Sequence, residues 1–483
     1  MEVTHHQDRP ALRRPEPDQH HRSRQAIQIT SAKEHAMSAR LSPKSTPLTR
    51  RGFNHLVVGA GAAGAVGLTA ACAVEPEEVV QEPADSDEPI ELNFVWWGDA
   101  GRAEVTEAAL DLYRADHPNV TITTEYQDSG PYKDKLATRI AAGDAPDLMA
   151  IRRDQLREYG DRGALADLRT LDAMDLAGLS DPVLAPWDVN SQLIGVPAGL
   201  NTIGFIIQTT VLEEHGIDLP DGDTWTWDDL ATMANAITAA SGGSIYGTCY
   251  EMATVANLYV WVRQQGEDLY TEDGRFGASE ATIQSWFDFA DEMRTTGGFP
   301  PAGFFDATTS AAEASYIAQG RVASQIIPTN NFKSYNEACG GTLALLRIPG
   351  ESTATRRGQS IDCPHLWSIS SQSAHQAQAA ELLSFLTNEL SAWEAMGTTR
   401  GVPPNSEVAE GLVPNLEEDD VTATEYILGL QAEDLPPAFA DPVGATEIQS
   451  KLADVAVEVE FARITSADAA AQLVATANDV LAD

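Results

Sequence analysis

The stretch Phe94-Val95-Trp96-Trp97-Gly98-Asp99-Ala100-Gly101-Arg102 sets two indoles and a carboxylate where an apolar run gives way to a loop. An indole covers the apolar C–H face of a sugar ring, and a carboxylate accepts hydrogen bonds from neighbouring hydroxyls. Successive strand residues point to opposite faces. Trp96 is therefore expected in the core and Trp97 toward a cleft, with Asp99 beside it. Two plainer readings stand alongside: both indoles in the core, and Asp99 as an acid at the start of the next helix. Ser129, in Gln127-Asp128-Ser129-Gly130-Pro131-Tyr132, occupies a second such loop and suits either a ligand hydrogen bond or a helix cap.

Catalytic chemistry has no comparable signal. The chain holds 72 acidic residues, yet none sits in a recognisable catalytic signature. There is no Gly-x-Ser-x-Gly, His-Glu-x-x-His, P-loop or dinucleotide-binding glycine pattern. A glycoside hydrolase requires two carboxyl groups at a set separation, and it remains the alternative to a non-enzymatic binder. The four cysteines form no Cys-x-x-Cys pair and no zinc spacing with histidine. His215, His365 and His375 are scattered and read as surface or packing residues. No metal and no cofactor is expected. Cys249, Cys339 and Cys363 follow the N-terminal region and allow three single pairings, of which Cys339–Cys363, closing a modest loop, is favoured.

The pattern of elements around these residues is α/β. A strand at 90–96, a helix at 103–116, a strand at 120–126, a helix and a strand at 147–151 alternate in order. Such alternation implies a mostly parallel sheet whose ligands bind at the strands' carboxyl ends. Strand-like runs flank Ala198-Gly199-Leu200-Asn201, and Thr226 with Asp228 and Asp229 reads as a helix start. Further helices are expected near 255–264, 280–295, 310–319 and 375–388, and strands at 321–331, 342–350 and 366–371. The stretch 446–482 is Ala-rich and helical in pattern. No internal repeat is present, which disfavours a repetitive structural or adhesive role.

The N-terminus reads as targeting. Arg50-Arg51-Gly52-Phe53 precedes the apolar run Leu56–Val74, within which lies Leu68-Thr69-Ala70-Ala71-Cys72. This resembles a twin-arginine export signal ending in a lipobox, with Cys72 as the lipidated residue and Thr69 where Leu is usual. Residues 1–72 are read as that signal, with 1–36 a possible mis-assigned start, and a membrane anchor as the alternative. Residues 73–89, rich in Pro, Glu and Asp, read as a disordered tether. The formal net charge is −41, which repels nucleic acid and anionic lipid.

Ordered markers then accumulate: "FVWWGD", "PNVTITTEY", "YKDKLATRIAAGDAPDLM", "IGVPAGLNTIGFIIQTTVLEEHGI", "TWTWDDLATMA", "AAEASYIAQGRVASQI", "LWSISSQSAHQAQAAELLSFL" and "TTRGVPPN". Over about residues 90–483 the chain resembles the extracellular solute-binding proteins of ABC importers, in the sugar-binding group that includes maltodextrin-binding proteins. The resemblance implies a two-lobed periplasmic-binding-protein-like α/β fold of type II, with a ligand cleft between lobes and several hinge crossings. Lobe 1 would comprise 90–200 and 348–400, and lobe 2 would comprise 203–342 and 404–483. It implies a monomer that binds a sugar or polyol and meets permease subunits, held to the membrane by a lipid. Asp154 and Asn201 match positions where relatives place polar ligand contacts. Asn257, Tyr259 and Trp261 fall near a site region, with core packing as the alternative for both aromatics. Asn330 stands where a maltodextrin-binding relative has a stacking tryptophan, a departure for which Phe332 could substitute. Asp362 and Arg400 complete the expected set.

Overall fold

The computed structural model describes residues 88–483, apart from residues 250–251, 305–311, 364, 434, 437 and 483 and the side chain of Asp154. The export signal with Cys72, and the tether up to residue 87, lie outside the described residues. The strands that frame the site are β1 (Ile90–Trp97), β2 (Val120–Gln127), β3 (Leu148–Arg152), β4 (Val196–Pro197), β5 (Ile203–Gln208), β6 (Ser324–Pro328), β7 (Leu343–Leu346) and β8 (His365–Ile369). They form two sheets, ordered β2-β1-β3-β8-β4 and β6-β5-β7. Among the helices around them are α1 (Ala100–Asp116), α2 (Ser129–Ala142), α3 (Arg153–Asp161), α4 (Trp227–Ala240), α5 (Val255–Gln264), α6 (Glu280–Thr296), α7 (Gln376–Asn388), α8 (Ala445–Glu460) and α9 (Ser466–Val480).

Local sequence explains these elements well. β1 runs parallel to β2 in unbroken register from Ile90↔Val120 to Trp97↔Gln127. The Asp99 carboxylate caps α1 by accepting from the Arg102 N–H at 2.8 Å, satisfying one of the helix's orphan donors. The inward face of α1 is Ala103, Thr106, Ala109, Leu110 and Tyr113, a spacing of three and four that turns one stripe to the sheet. α4 opens with a reciprocal capping box between Thr226 and Asp229, as its sequence predicts. The two sheets nucleate separate cores. One gathers Leu92, Phe94, Trp96, Met149, Ile151, Trp187 and Trp367. Another gathers Phe205, Ile207, Trp225 and Ile237 under β5 and α4.

Three expectations are corrected. The first sheet is parallel only through β2, β1 and β3, since β8 runs antiparallel to both β3 and β4. The second sheet is antiparallel throughout. The reason is directional: β5 leaves the crossing at residues 201–203, and β6 and β7 return toward it. The helix expected at 310–319 is, over its described part, one 3₁₀ turn at Ala312–Ala314 followed by turns. The C-terminal stretch is helical as expected, in two helices, because Ala462 takes φ of 52° and Thr465 with Asp468 caps a fresh start.

The third correction concerns the Cys339–Cys363 disulfide. Both are free thiols. Cys363 is fully buried against the first sheet, where its thiol donates to the His365 carbonyl at 2.6 Å. Cys339 instead packs with the cluster of Ile206 and Ile327 on the second sheet. A short separation along the chain thus spans two different cores. Burial pushes the Cys339 thiol up to about 11 and the Cys363 thiol up to about 12.

Three chain crossings lie side by side between the sheets. Leu200 and Val402 exchange backbone hydrogen bonds at 2.6 and 2.9 Å, and Asn201 and Asp362 do so at 2.8 and 2.7 Å. Two glycines make this approach possible. A Cβ on Gly199 would stand 2.7 Å from the Arg400 carbonyl oxygen, and one on Gly401 would stand 2.2 Å from that of Leu200.

Candidate ligand cavity

Beside these crossings is a cavity of about 430 Å³. Its walls come from both sheets' surroundings. Arg152 and Arg153 enter at the carboxyl end of β3, where a parallel sheet presents its loops. Asn201, Thr202, Ile203, Ser360 and Asp362 supply the floor from the crossings. α5 contributes Val255, Ala256, Tyr259 and Val260, α8 contributes Thr446 and Gln449, and the segment before it contributes Asp441. Tyr270 comes from a short hairpin between α5 and α6.

Arg153 organises the charged wall. Its Nη1 donates to Asp362 Oδ1 at 2.5 Å, its Nε lies 3.3 Å from Asp441 Oδ1, and its Nη2 donates to the Phe439 carbonyl at 2.9 Å. The guanidinium also lies over the Trp187 ring at 5.6 Å. Burial works against its charge, but Asp441 and Asp362 outweigh burial and raise its pKa. Asp362 Oδ1 accepts a further bond from the Cys363 N–H at 2.8 Å. Arg152 Nη1 donates to Ser129 Oγ at 3.0 Å.

Of the residues singled out from sequence, Asn201, Tyr259 and Asp362 line this cavity. Ser129 stands one hydrogen bond behind it, on Arg152. Asp154 lies in the first turn of α3, and its side chain is outside the described residues. Much of the Asn201 side chain is spent on the fold: Oδ1 accepts from Thr329 Oγ1 at 2.7 Å and from the Asn330 N–H at 3.1 Å, while Nδ2 donates to Asn330 Oδ1 at 2.9 Å. Asn330 is thereby a partner of the crossing and not part of the cavity lining.

The remaining candidates are elsewhere. Trp97 does not face a cleft: it is 9% exposed, within the first core, stacked 4.0 Å from the His365 ring. Asp99 is a helix cap. Asn257 is buried within α5. Trp261 packs edge-on to Trp227 and donates from Nε1 to Ser285 Oγ at 3.1 Å. Phe332 is buried in a cluster with Ile206 and Ile327, so it offers no stacking platform in place of a tryptophan. Arg400 is buried over the Trp367 ring, with Nη2 donating to Thr106 Oγ1 at 2.8 Å. Burial, with Arg102 nearby, lowers its pKa to about 10.

Arg152, Arg153, Tyr270, Asp441, Thr446 and Gln449 were missed. A signal existed for the arginines, since Met149-Ala150-Ile151-Arg152-Arg153-Asp154 ends a strand in three charged residues. None existed for Asp441 or Tyr270, which reach the cavity only through folding of distant segments.

A two-sheet α/β body with multiple crossings and a ligand-sized cavity between them is the architecture of a binding protein. The chain belongs to the bacterial extracellular solute-binding proteins, whose family pattern matches residues 108–425. A lactose-binding protein of Rhizobium radiobacter is 23% identical over 330 residues, 64% of this chain and 73% of that one. An extracellular solute-binding protein of family 1 from Alicyclobacillus acidocaldarius has 26% identity and a TM-score of 0.71, covering 83% of this chain and 100% of its own. A periplasmic oligogalacturonide-binding protein from Yersinia enterocolitica shares the fold at 22% identity and a TM-score of 0.71, covering 81% of this chain and 99% of its own. The fold is accordingly the two-lobed one of periplasmic solute-binding proteins. Among the described residues no helix is long and apolar enough to cross a membrane.

Proposed function

We propose that this protein captures an uncharged sugar or related polyol outside the cytoplasm and delivers it to the permease subunits of an ABC importer. The observation that carries the reading is the charge balance of the cavity wall. Two guanidinium groups and two carboxylates line it, and Arg153 engages both carboxylates. A neutral ligand exchanges hydrogen bonds with such a wall without leaving a buried charge unpaired. Hydroxyls suit it because each both donates and accepts. Tyr259, Tyr270, Ile203 and Val260 offer the apolar surface that covers a sugar ring's C–H face. The name of the Rhizobium radiobacter relative favours the same ligand class.

In this reading lobe 1 comprises 90–200 and 348–400, lobe 2 comprises 203–342 and 404–483, and closure is a hinge motion about the crossings. Cys72 carries the lipid, residues 73–89 are the tether, and the protein acts as a monomer. The hydrolase alternative is disfavoured because Asp362 and Asp441 are both ion-paired to one guanidinium, whereas glycoside hydrolysis needs one carboxyl kept protonated.

Thermal denaturation with glucose, galactose, lactose, maltose, raffinose, sorbitol and mannitol tests the ligand class. One of them is expected to raise the melting temperature, since a ligand at a hundred times its Kd adds about 2.7 kcal/mol. No shift with any of them sinks the carbohydrate reading. Cys72→Ala is expected to move the protein from membrane to medium. Continued membrane association removes the lipid assignment.

A further inference from the structure

The polar groups lining the cavity are of two kinds. The charged ones are answered by the protein itself: Arg153 serves Asp362, Asp441 and the Phe439 carbonyl, and Arg152 donates to Ser129. Two groups at the crossing are spent in the same way. The Asn201 amide is held by Thr329 and Asn330, and the Thr202 hydroxyl donates to the Ser360 carbonyl at 2.8 Å. Three neutral groups differ. The hydroxyls of Thr446 and Ser360 and the amide of Gln449 line the cavity and make no side-chain hydrogen bond among the described residues. Thr446 and Gln449 are exposed and Ser360 is half-buried, so a molecule in the cavity has access to all three.

α8 presents two of the three. Thr446 and Gln449 stand three residues apart, a spacing that sets them beside each other on one face of a helix. The buried stripe of α8, Ile448, Leu452 and Val455, packs in one core with Ala470 and Leu473 of α9. The backbone beneath the two polar side chains is therefore anchored from behind, while their hydrogen-bonding groups stay uncommitted, and a site mounted on a packed helix is more precise than one on a loop. The chemistry suits a polyol. A glutamine amide donates two hydrogens and accepts at its oxygen, and a threonine hydroxyl donates and accepts, as each sugar hydroxyl does. Neither side chain carries a charge that a bound ligand would strip of water.

We propose that this face of α8 determines which sugar is bound, the Gln449 amide pairing with two adjacent hydroxyls of the ligand and Thr446 with a further oxygen, while Ser360 adds a contact from the crossing. This rests on the carbohydrate reading above. The Arg153 wall, already paired within the protein, tolerates many neutral ligands, whereas groups left unspent discriminate among them. A site built to hydrogen-bond a given hydroxyl rejects the analogue that lacks it.

The test takes as probe whichever of glucose, galactose, lactose, maltose or raffinose most raises the wild-type melting temperature. Calorimetry then compares the probe and its monodeoxy derivatives on wild type, Gln449→Ala, Thr446→Val and Ser360→Ala. Gln449→Ala is expected to bind the probe about tenfold more weakly, and the other two about threefold. The unliganded melting temperatures should stay at the wild-type value, since no hydrogen bond within the protein is lost. Two monodeoxy derivatives, lacking adjacent hydroxyls, should bind wild type weakly yet bind Gln449→Ala as well as the probe does, the coupling that marks a direct contact. If wild type binds a sugar and Gln449→Ala binds it equally, or loses affinity by one factor for every derivative, the assignment is overturned while the carbohydrate reading survives. If no sugar binds wild type, the carbohydrate reading falls and this proposal with it.

Discussion

Two strand ends of the same sheet carry the residues that look most like chemistry, and they meet opposite fates. β1 ends in Trp97 and Asp99, and β3 ends in Arg152 and Arg153. The first pair is consumed by the fold and the second becomes the wall of the cavity. The difference is what arrives to cover them. β8 runs antiparallel beside β3 and starts with His365 opposite Arg152, and its imidazole lies flat on Trp97. Tyr132 of α2 closes the other approach at 5.6 Å, with its hydroxyl donating to the Ala150 carbonyl at 2.8 Å. Arg153 instead rests on the Trp187 ring and reaches the crossing and the segment before α8. A strand's carboxyl end is thus an opportunity for a site, and the neighbouring strand decides whether it is used.

The largest expected effect is on the indoles. Trp96→Ala should cost about 3–5 kcal/mol in denaturant unfolding, as large aromatic truncations in a core do. Trp97→Ala should cost about 3 kcal/mol, with the affinity of the folded variant for its sugar unchanged. A stable Trp97→Ala protein that binds tenfold more weakly would restore that indole to the cleft and dissolve the contrast between the two strand ends.

Arg153→Ala comes next. It removes one ion pair to each of two aspartates and leaves both carboxylates facing a partly dry cavity. A loss of about 3 kcal/mol is expected, at the lower end for a broken buried pair because Asp362 retains solvent. Sugar affinity should fall at least tenfold by calorimetry. Unaltered affinity would remove Arg153 from the wall and leave β3 no more functional than β1.

His365 gives a smaller, pH-dependent signature. Burial, reinforced by Arg400 and Arg102, holds its pKa well below 6.5. The unfolded chain then binds a proton that the native protein refuses. Stability is full above about pH 6.5 and falls as pH drops below it, by up to about 1.4 kcal/mol per pH unit. His365→Phe should flatten that part of the stability profile while keeping the stack on Trp97. An unchanged acid slope would mean that the imidazole is not sealed under Trp97. The smallest effect belongs to Asp99→Ala, about 1 kcal/mol for a lost helix cap, with no change in sugar affinity. A selective affinity loss there would make Asp99 a ligand contact as well as a cap.

By itself the sequence determined the local elements and the family. The capping pairs at Thr226 and Asp229, the helical stripe of α1 and the alternation from β1 to β3 depend on neighbours within a few residues, and all are legible there. The ordered markers likewise carried the two-lobed fold. Tertiary structure alone decided which of the candidates face a cavity. Trp97 and Phe332 look like stacking platforms in one dimension, and only packing against His365 and Ile206 makes them core. Cys339 and Cys363 look pairable along the chain, and only the assignment of each to a different sheet keeps them apart. Tyr270, Asp441 and Gln449 carry no local mark of function, because they reach the cavity only when distant segments meet, as Asp441 does with Arg153. Propensity and capping are short-range and are written in the chain. Burial and charge pairing are set by which distant segments meet, and those decided where this protein's site lies.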